Sequence, residues 1–255
     1  EFRRVLFRSC NPLSEGPVPI TEGITPNSSS PSLRIRKILG STVSDCWVAF
    51  KEKCGARLAA VLADTSDRMA EIEQMIRGEN RCRVHIEPEQ LNHIHQPELV
   101  LIFTGRLGPD RTRDRLRLTQ CSCPQADLWL ASSTSECQEM LEALDCLYPS
   151  REQLLDFYQR VKETFKHDYF EMEDLLLALK GVPRPLVLNG LKVFEELELL
   201  ERHSDRSRMC LRKLRARRDL EMSPTYRQGK LLRERWLAWL DALQGPQEAL
   251  AKFLE

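Results

Sequence analysis

Apolar residues between positions 34 and 132 follow two alternating spacings, one typical of helices and the other typical of buried strands. Val43, Trp47, Phe50 and Cys54 recur at intervals of three and four residues, which predicts an amphipathic helix. Four short apolar runs separate such helical stretches, and their length and polar boundaries predict buried strands of a parallel sheet. The runs are LAAVLA at 58–63, RVHI at 83–86, LVLIF at 99–103 and LWLA at 128–131.

Strands that alternate with helices predict a small parallel-sheet α/β domain of the Rossmann-like kind, connected by right-handed crossovers. We assign this domain to residues 34–147. Residues 1–33 carry no periodic pattern. Of these, 10–32 are rich in proline and serine, which predicts a linker or disorder. Residues 1–9 (EFRRVLFRS) look like adapter- or cloning-derived sequence, so we expect the natural protein to extend further at its N-terminus.

Beyond position 134 the strand pattern gives way to helical stripes, and three of them follow Pro149 in close succession. Ser150 is the predicted cap of the first. The segments 199–203 and 208–213 flank a polar turn and predict a hairpin. Three helices followed by a hairpin is the order of a winged helix-turn-helix. We therefore predict a winged-helix-like helical domain over 148–255, including a C-terminal helix that is interrupted at Gly245-Pro246.

Composition narrows the class of protein only a little. The formal net charge is zero, so the overall charge indicates no partner. The nine cysteines are odd in number and scattered, which favours reduced thiols in a cytoplasmic protein over a secreted disulfide framework. No apolar run approaches the roughly 20 residues that a membrane span needs.

No catalytic constellation stands out. Gly105 and Gly108 follow the LVLIF strand, where open α/β sheets bind ligands, but two glycines are more simply explained as a loop. Asp64, Asp67 and Glu71 follow another strand and could hold a metal, but we favour the simpler account that they cap the next helix, since carboxylates in the first turn interact favourably with the helix dipole. Two close pairs, His93 with His95 and Cys121 with Cys123, do not have the spacing of a zinc site.

Basic charge is the most informative feature of the second half of the chain. Eight arginines and lysines lie between positions 201 and 221, opposed by four acidic residues, and they predict a surface that contacts nucleic-acid phosphates. A solvated charged surface is the plainer alternative. The eight are Arg202, Arg206, Arg208, Arg212, Lys213, Arg215, Arg217 and Arg218.

The candidate recognition helix at 184–197 is not basic on its predicted outer face. That face carries Asn189, Lys192, Glu195 and Glu196. Sequence-specific recognition in the major groove uses side chains that reach base edges from such a helix. The sequence therefore argues against sequence-specific recognition of DNA.

Several segments resemble the C-terminal domain of RecJ-type exonucleases of the Firmicute kind, which are specific for single-stranded DNA. The resemblance covers roughly residues 34–228, and its most specific element is the Val-Phe-x-Glu-Leu pattern at 193–197. The LVLIF strand with its proline-containing loop also fits. The other segments are PSREQL at 149–154, FY at 157–158, the remainder of LKVFEELELL at 191–200 and LEMSPTY at 220–226.

The resemblance implies a non-catalytic accessory region. In such enzymes hydrolysis belongs to an N-terminal core with Asp-His-His motifs that bind manganese or magnesium, and this sequence contains no Asp-His-His. The implied role is to bind single-stranded DNA or a partner protein of DNA repair or replication, without a cofactor in this chain and without a membrane.

Three alternatives remain open at this stage. The first is a stand-alone winged-helix regulator of DNA with a ligand-sensing α/β domain. The second is an independent α/β enzyme, for which Asp64 and Gly105 are the visible polar or loop residues at strand ends. The third is a winged helix that makes protein contacts only.

Overall fold

The computed structural model describes residues 35–93, 96–166, 168–203, 208–213 and 218–254, without the side chains of 92 and 93. Its central feature is a five-stranded sheet with the order β1-β5-β4-β2-β3, in which every neighbouring pair is parallel. Every residue of β2 and β4 is buried because helices cover both faces of the sheet. The strands are β1 (Ile35–Gly40), β2 (Ala59–Leu62), β3 (Cys82–His85), β4 (Leu99–Phe103) and β5 (Asp127–Ser133).

The predicted parallel α/β sheet is confirmed, and each of the four predicted apolar runs contributes a strand. The sequence pattern did not predict β1. This edge strand pairs only with β5 and buries only Ile38. Arg36 and Lys37 therefore remain partly or fully exposed, and they interrupt the apolar pattern by which a strand is predicted.

Helices cover the two faces of the sheet in the arrangement that right-handed crossovers require. The apolar residues of α1 and α2 pack on one face, and those of α3 and α4 pack on the other. Each helix begins where a polar side chain or a glycine follows a strand. The helices are α1 (Val43–Cys54), α2 (Ser66–Met75), α3 (Pro109–Ser122) and α4 (Thr134–Leu147), with a short 3-10 helix at Pro88–His93.

The segment that follows has an apolar core of its own, which includes Phe157, Phe170 and Phe194. Its strands form a three-stranded antiparallel sheet of order β6-β8-β7. The three helices and the hairpin lie where the sequence predicts them, while the winged-helix assignment stays a prediction. The elements are α5 (Arg151–Phe165), β6 (Phe170–Glu171), α6 (Met172–Ala178), α7 (Arg184–Glu196), β7 (Leu200–Arg202) and β8 (Arg208–Leu211).

The first of these helices begins as predicted. The Ser150 hydroxyl accepts a hydrogen bond from the backbone N–H of Gln153 at 3.3 Å, and the Ser150 N–H donates to the Gln153 side chain at 2.7 Å. This reciprocal capping box pairs two backbone N–H groups, those of Ser150 and Gln153, that the start of the helix would otherwise leave without an acceptor.

The last two helices return to the parallel sheet. They are α8 (Pro224–Gln244) and α9 (Gln247–Leu254), and they are separated at Gly245-Pro246 as predicted. Trp239, Leu240, Leu243 and Leu250 belong to the same apolar cluster as β4 and β5 residues. Arg34–Glu255 accordingly form one compact unit, and the predicted boundary near residue 147 is bridged by α8.

Among the described residues, no helix is both long enough and apolar enough to cross a membrane.

Candidate functional site

The predicted basic residues that the structure describes lie on the hairpin and the chain that follows it. Arg202 is on β7, Arg208 is on β8, and Arg212 and Lys213 come directly after β8. Arg218 lies two residues before a second 3-10 helix, Leu220–Met222. Arg206, Arg215 and Arg217 lie outside the described residues.

Four of these arginines pair with glutamates, which the sequence did not predict. Arg202 Nε pairs with Glu195, and Arg208 Nε lies 3.3 Å from Glu171 Oε1. Three of the four glutamates come from the end of α7 and the chain as far as β7. The other two pairs are Arg212 Nε with Glu201 Oε2 at 3.0 Å and Arg218 Nη2 with Glu198 Oε2 at 2.6 Å.

These pairs hold the arginines only weakly. The four arginine side chains are between 39% and 60% exposed. Exposed ion pairs contribute about 0–1 kcal/mol each, because solvent screens the charges and holding both side chains costs entropy. Lys213 is exposed and has no partner among the described residues. A phosphate can therefore replace the glutamates as the partner of these arginines, although the negative charge of the glutamates repels the phosphate.

The candidate recognition helix α7 is largely enclosed by the molecule itself. It packs against α4, α5 and α8, and its exposed residues are Arg184, Leu188, Lys192 and Glu196. The Asn189 side chain donates to the backbone carbonyl of Leu147 at 2.7 Å. Of the predicted outer-face residues, only Lys192 is free of a described hydrogen bond or ion pair, so the helix offers little to a DNA groove.

Glu196 joins the end of α7 to the start of α8. Its carboxylate accepts hydrogen bonds from the Ser223 hydroxyl at 2.5 Å, and from the Thr225 N–H and hydroxyl at 3.0 and 2.5 Å. Burial raises the pKa of Glu196, but these hydrogen bonds outweigh it and lower the pKa overall. Ser223 is buried, and its hydroxyl also caps α8 by accepting from the Tyr226 N–H at 3.0 Å.

This contact explains two of the segments that carry the family resemblance. Glu196 belongs to the Val-Phe-x-Glu-Leu element, and Ser223 and Thr225 belong to the Ser-Pro-x-Tyr element. The two elements, 27 residues apart between Glu196 and Ser223, form one hydrogen-bonded junction. Their role in this structure is to fix α8 against the helical segment.

A second candidate site lies at the carboxyl edge of the parallel sheet. The chain leaves β2 toward β3 on one side and leaves β4 toward β5 on the other. The ends of β2 and β4 are therefore a topological switch point, which is where open α/β sheets bind ligands. Three buried charged side chains meet here: Asp64 after β2, Arg68 in α2 and Glu136 in α4.

Arg68 is the centre of this cluster. Its Nη2 pairs with Glu136 Oε1, and its Nη1 donates to Glu71 Oε2 at 2.6 Å. Its Nε lies 3.8 Å from Asp64 Oδ1, too far for a hydrogen bond. No other described residue therefore donates a hydrogen bond to the Asp64 carboxyl oxygens or accepts one from Arg68 Nε, although the side chains of Asp64 and Arg68 are only 1% and 5% exposed.

Burial shifts both carboxyl groups in the same direction. It raises the pKa of Asp64, and the nearby guanidinium groups of Arg68, Arg106 and Arg115 offset the change only in part. Burial likewise raises the pKa of Glu136 against the opposing effects of Arg68 and of the Ser133 hydroxyl, which donates to Glu136 Oε2 at 2.9 Å.

The favoured interpretation of Asp64 as a helix cap is wrong. The cap of α2 is Thr65, whose hydroxyl accepts from the Arg68 N–H at 3.1 Å. Asp67 does lie in the first turn, and Glu71 pairs with Arg68. The sequence did contain one signal of this buried cluster. Arg68 is a charged residue that lies four residues before Ile72, on the apolar face of α2.

The two glycines after β4 are explained by close packing. A Cβ atom on Gly105 would lie 2.6 Å from Glu136 Oε2, and one on Gly108 would lie 2.8 Å from the Trp236 ring. The lack of a side chain at each glycine therefore leaves room for a neighbouring side chain. Because Trp236 belongs to α8, this helix covers the loop in which a ligand site was considered.

The described residues contain no group of three or more His, Cys, Asp or Glu side chains arranged to hold a metal ion. Of the two close pairs in the sequence, Cys121 is exposed and Cys123 is buried. The side chain of His93 and all of His95 lie outside the described residues.

Comparison with protein-family models, with curated proteins and with solved structures finds no match to this chain. The resemblance to RecJ-type exonucleases is therefore a hypothesis that rests on the sequence segments alone. Function has to be argued from the two sites described above.

Proposed function

We propose that this chain is the non-catalytic C-terminal accessory region of a cytoplasmic, RecJ-like exonuclease, and that its basic surface holds single-stranded DNA. The basic surface consists of Arg202, Arg208, Arg212, Lys213 and Arg218. The observation that carries the proposal is that all five side chains are exposed on the hairpin and the chain after it. Hydrolysis would belong to a separate catalytic core.

The form of this surface favours contact with phosphates over recognition of bases. Its cations are long side chains around a short antiparallel hairpin, and among the described residues of α7 only Arg184 and Lys192 are exposed polar groups without a partner. Phosphate contacts provide affinity that does not depend on sequence. An exonuclease that degrades many sequences needs DNA binding that does not depend on sequence, and a surface of exposed cations supports this part of the proposal.

A sequence-specific winged-helix regulator is less well supported. Such a protein presents the second helix of its helix-turn-helix to the major groove. Here α7 packs against α4, α5 and α8, and two of its polar residues, Asn189 and Glu195, are engaged within the molecule, which leaves Arg184 and Lys192 as its exposed cations.

The direct test is binding of a labelled single-stranded oligonucleotide of mixed sequence to the chain, measured by fluorescence anisotropy at about 50 and 200 mM salt. We expect binding at low salt that weakens steeply, because each neutralised phosphate of a single strand contributes about −0.7 to the slope of log K against log salt. Two oligonucleotides of unrelated sequence should bind alike.

The matched variant replaces Arg202, Arg208, Arg212 and Arg218 with Gln. Its loss of affinity should exceed that of a control in which four exposed cations of the α/β segment, Lys51, Lys53, Arg77 and Arg117, are replaced with Gln. Absence of binding at low salt would overturn the DNA role and would favour the contact with a repair protein. A strong preference for one sequence would favour the regulator.

A further inference from the structure

The buried cluster at the carboxyl edge of the sheet contains more negative than positive charge. Asp64 and Glu136 supply two carboxyl groups, and the single cation buried with them is Arg68. Their side chains are 1%, 3% and 5% exposed. Glu71, the other partner of Arg68, is half-exposed and pairs from the solvent side.

The two carboxyl groups are not equivalent. Glu136 is satisfied by Arg68 and by the Ser133 hydroxyl, whereas Asp64 accepts no hydrogen bond from any other described residue. A buried charge without hydrogen bonds costs several kcal/mol, and a carboxyl group avoids that cost by retaining its proton. The arrangement therefore places the proton at Asp64.

We propose that Asp64, Arg68 and Glu136 form a proton-binding site in which the Asp64 carboxyl group keeps its proton to a higher pH than an exposed aspartate does. Loss of this proton at higher pH leaves a second buried negative charge in the cluster, which the guanidinium groups of Arg68, Arg106 and Arg115 offset only in part. The carboxyl edge of the sheet, where α2 and α4 both begin, then becomes less stable. The site acts as a pH-sensitive clamp within the α/β segment.

Groups on every neighbouring element bear on this proton. Arg106 in the loop after β4 and Arg115 on α3 face Asp64 and favour its ionised form. Arg115 is also held in place, since its Nη1 donates to the Ala63 carbonyl at 2.7 Å. Burial raises the pKa of the Cys46 thiol on α1, and the negative charge of Glu136 raises it further.

The direction of the pH dependence follows from linkage. Burial raises the pKa of Asp64 in the folded chain. A carboxyl group whose folded pKa is raised contributes stability that is fully present below its unfolded pKa and is lost as the pH rises through the folded pKa. The folded chain should therefore lose stability above the ordinary carboxyl range, unlike a chain with a neutral side chain at this position.

The primary experiment follows the Asp64 carboxyl carbon of the whole chain by NMR during a pH titration. The resonance is assigned by its loss in Asp64→Asn. We expect a titration midpoint clearly above the ordinary value of about 3.9 for aspartate. A midpoint at or below that value would overturn the proposal, and this measurement does not depend on whether the variant folds well.

Thermal unfolding between pH 4 and 8.5, a window that starts near the unfolded pKa of aspartate, provides the second measurement. As the pH rises, the melting temperature of the wild type should fall relative to that of Asp64→Asn. The total fall should be about 3–5 °C for each pH unit by which folding raises the pKa of Asp64. The matched control is Asp67→Asn, an exposed carboxylate three residues along, which should follow the wild type. Parallel curves for all three proteins would contradict the proposal.

Discussion

The indole N–H of Trp239 donates a hydrogen bond to the backbone carbonyl of Leu107 at 3.0 Å, and the two residues are 132 positions apart in the chain. Trp239 is fully buried, and its ring lies in the apolar cluster on one face of the parallel sheet. The C-terminal helix α8 is thereby fixed to the loop after β4. Since α8 starts at the Glu196 junction, it holds the helical segment to the sheet.

Trp239→Phe should lower the free energy of unfolding by about 1–3 kcal/mol, because the variant keeps an aromatic ring but leaves the Leu107 carbonyl without its donor. Trp239→Ala should cost about 3–5 kcal/mol through the cavity it creates. Urea unfolding measures both. Leu231→Ala on the exposed side of the same helix is the control and should stay within about 0.5 kcal/mol of the wild type. Equal losses for Trp239→Phe and the control would contradict this role.

The Glu196 junction should behave as one unit. Ser223→Ala removes the cap of α8 and a donor to Glu196, and a lost cap alone costs about 0.5–2 kcal/mol. In a double-mutant cycle with Glu196→Gln, we expect a coupling free energy of about 0.5–3 kcal/mol. Additive effects would show that the two residues do not act together.

Gly105→Ala tests the close approach of Glu136 to the loop after β4. The added Cβ would lie 2.6 Å from Glu136 Oε2, which is too close for non-bonded atoms. We expect a loss of about 1–3 kcal/mol, typical of overpacking. Arg106→Ala in the same loop removes an exposed ion pair with Glu139 and one of the charges that act on Asp64, without adding an atom to the loop, and should cost about 0.5 kcal/mol. Similar effects of the two changes would contradict the packing account.

Thiol reactivity should separate three buried cysteines from the exposed Cys121. Burial raises the pKa of Cys46 and of Cys82 to about 12 and that of Cys54 to about 11, so their reactive thiolates are scarce near neutral pH. Cys121 is exposed. Maleimide labelling at pH 8, followed by mass spectrometry of peptides, should modify Cys121 well before the three buried thiols. Early labelling of Cys46 in the folded chain would be contrary to the structure.

Periodicity predicted the elements whose apolar residues face a core. The LVLIF run is buried in full, and the Val43, Trp47, Phe50 and Cys54 stripe lies on the buried side of α1. The edge strand β1 escaped prediction because it buries a single residue, whereas the other edge strand, β3, buries Cys82 and Val84 in alternation. Strand pattern reports burial, so it is weakest where a strand buries few residues.

The candidate sites were harder to predict because they depend on residues that are distant in the sequence. Nothing near Arg208 indicates Glu171 as its partner, and nothing near Arg68 indicates Glu136, 68 residues away. The sequence identified the basic run correctly as a group of cations. It did not indicate that α7 and its flanks provide carboxylates that partly neutralise them.

The central claim is that the arginines of the basic surface bind DNA phosphates in competition with their glutamate partners. Measuring single-stranded DNA affinity against salt for Glu195→Gln, Glu198→Gln and Glu201→Gln combined tests it most directly, because these glutamates hold Arg202, Arg218 and Arg212. The control with equal charge change is Glu52→Gln, Glu73→Gln and Glu163→Gln, all at exposed positions.

The claim predicts that releasing the three arginines tightens binding several-fold at low salt beyond the control. It also predicts a salt slope steeper by up to about 2, as expected for three more phosphate contacts on a single strand. If the variant and its control bind DNA with the same affinity and the same salt slope, the arginines do not contact phosphates and the claim is wrong.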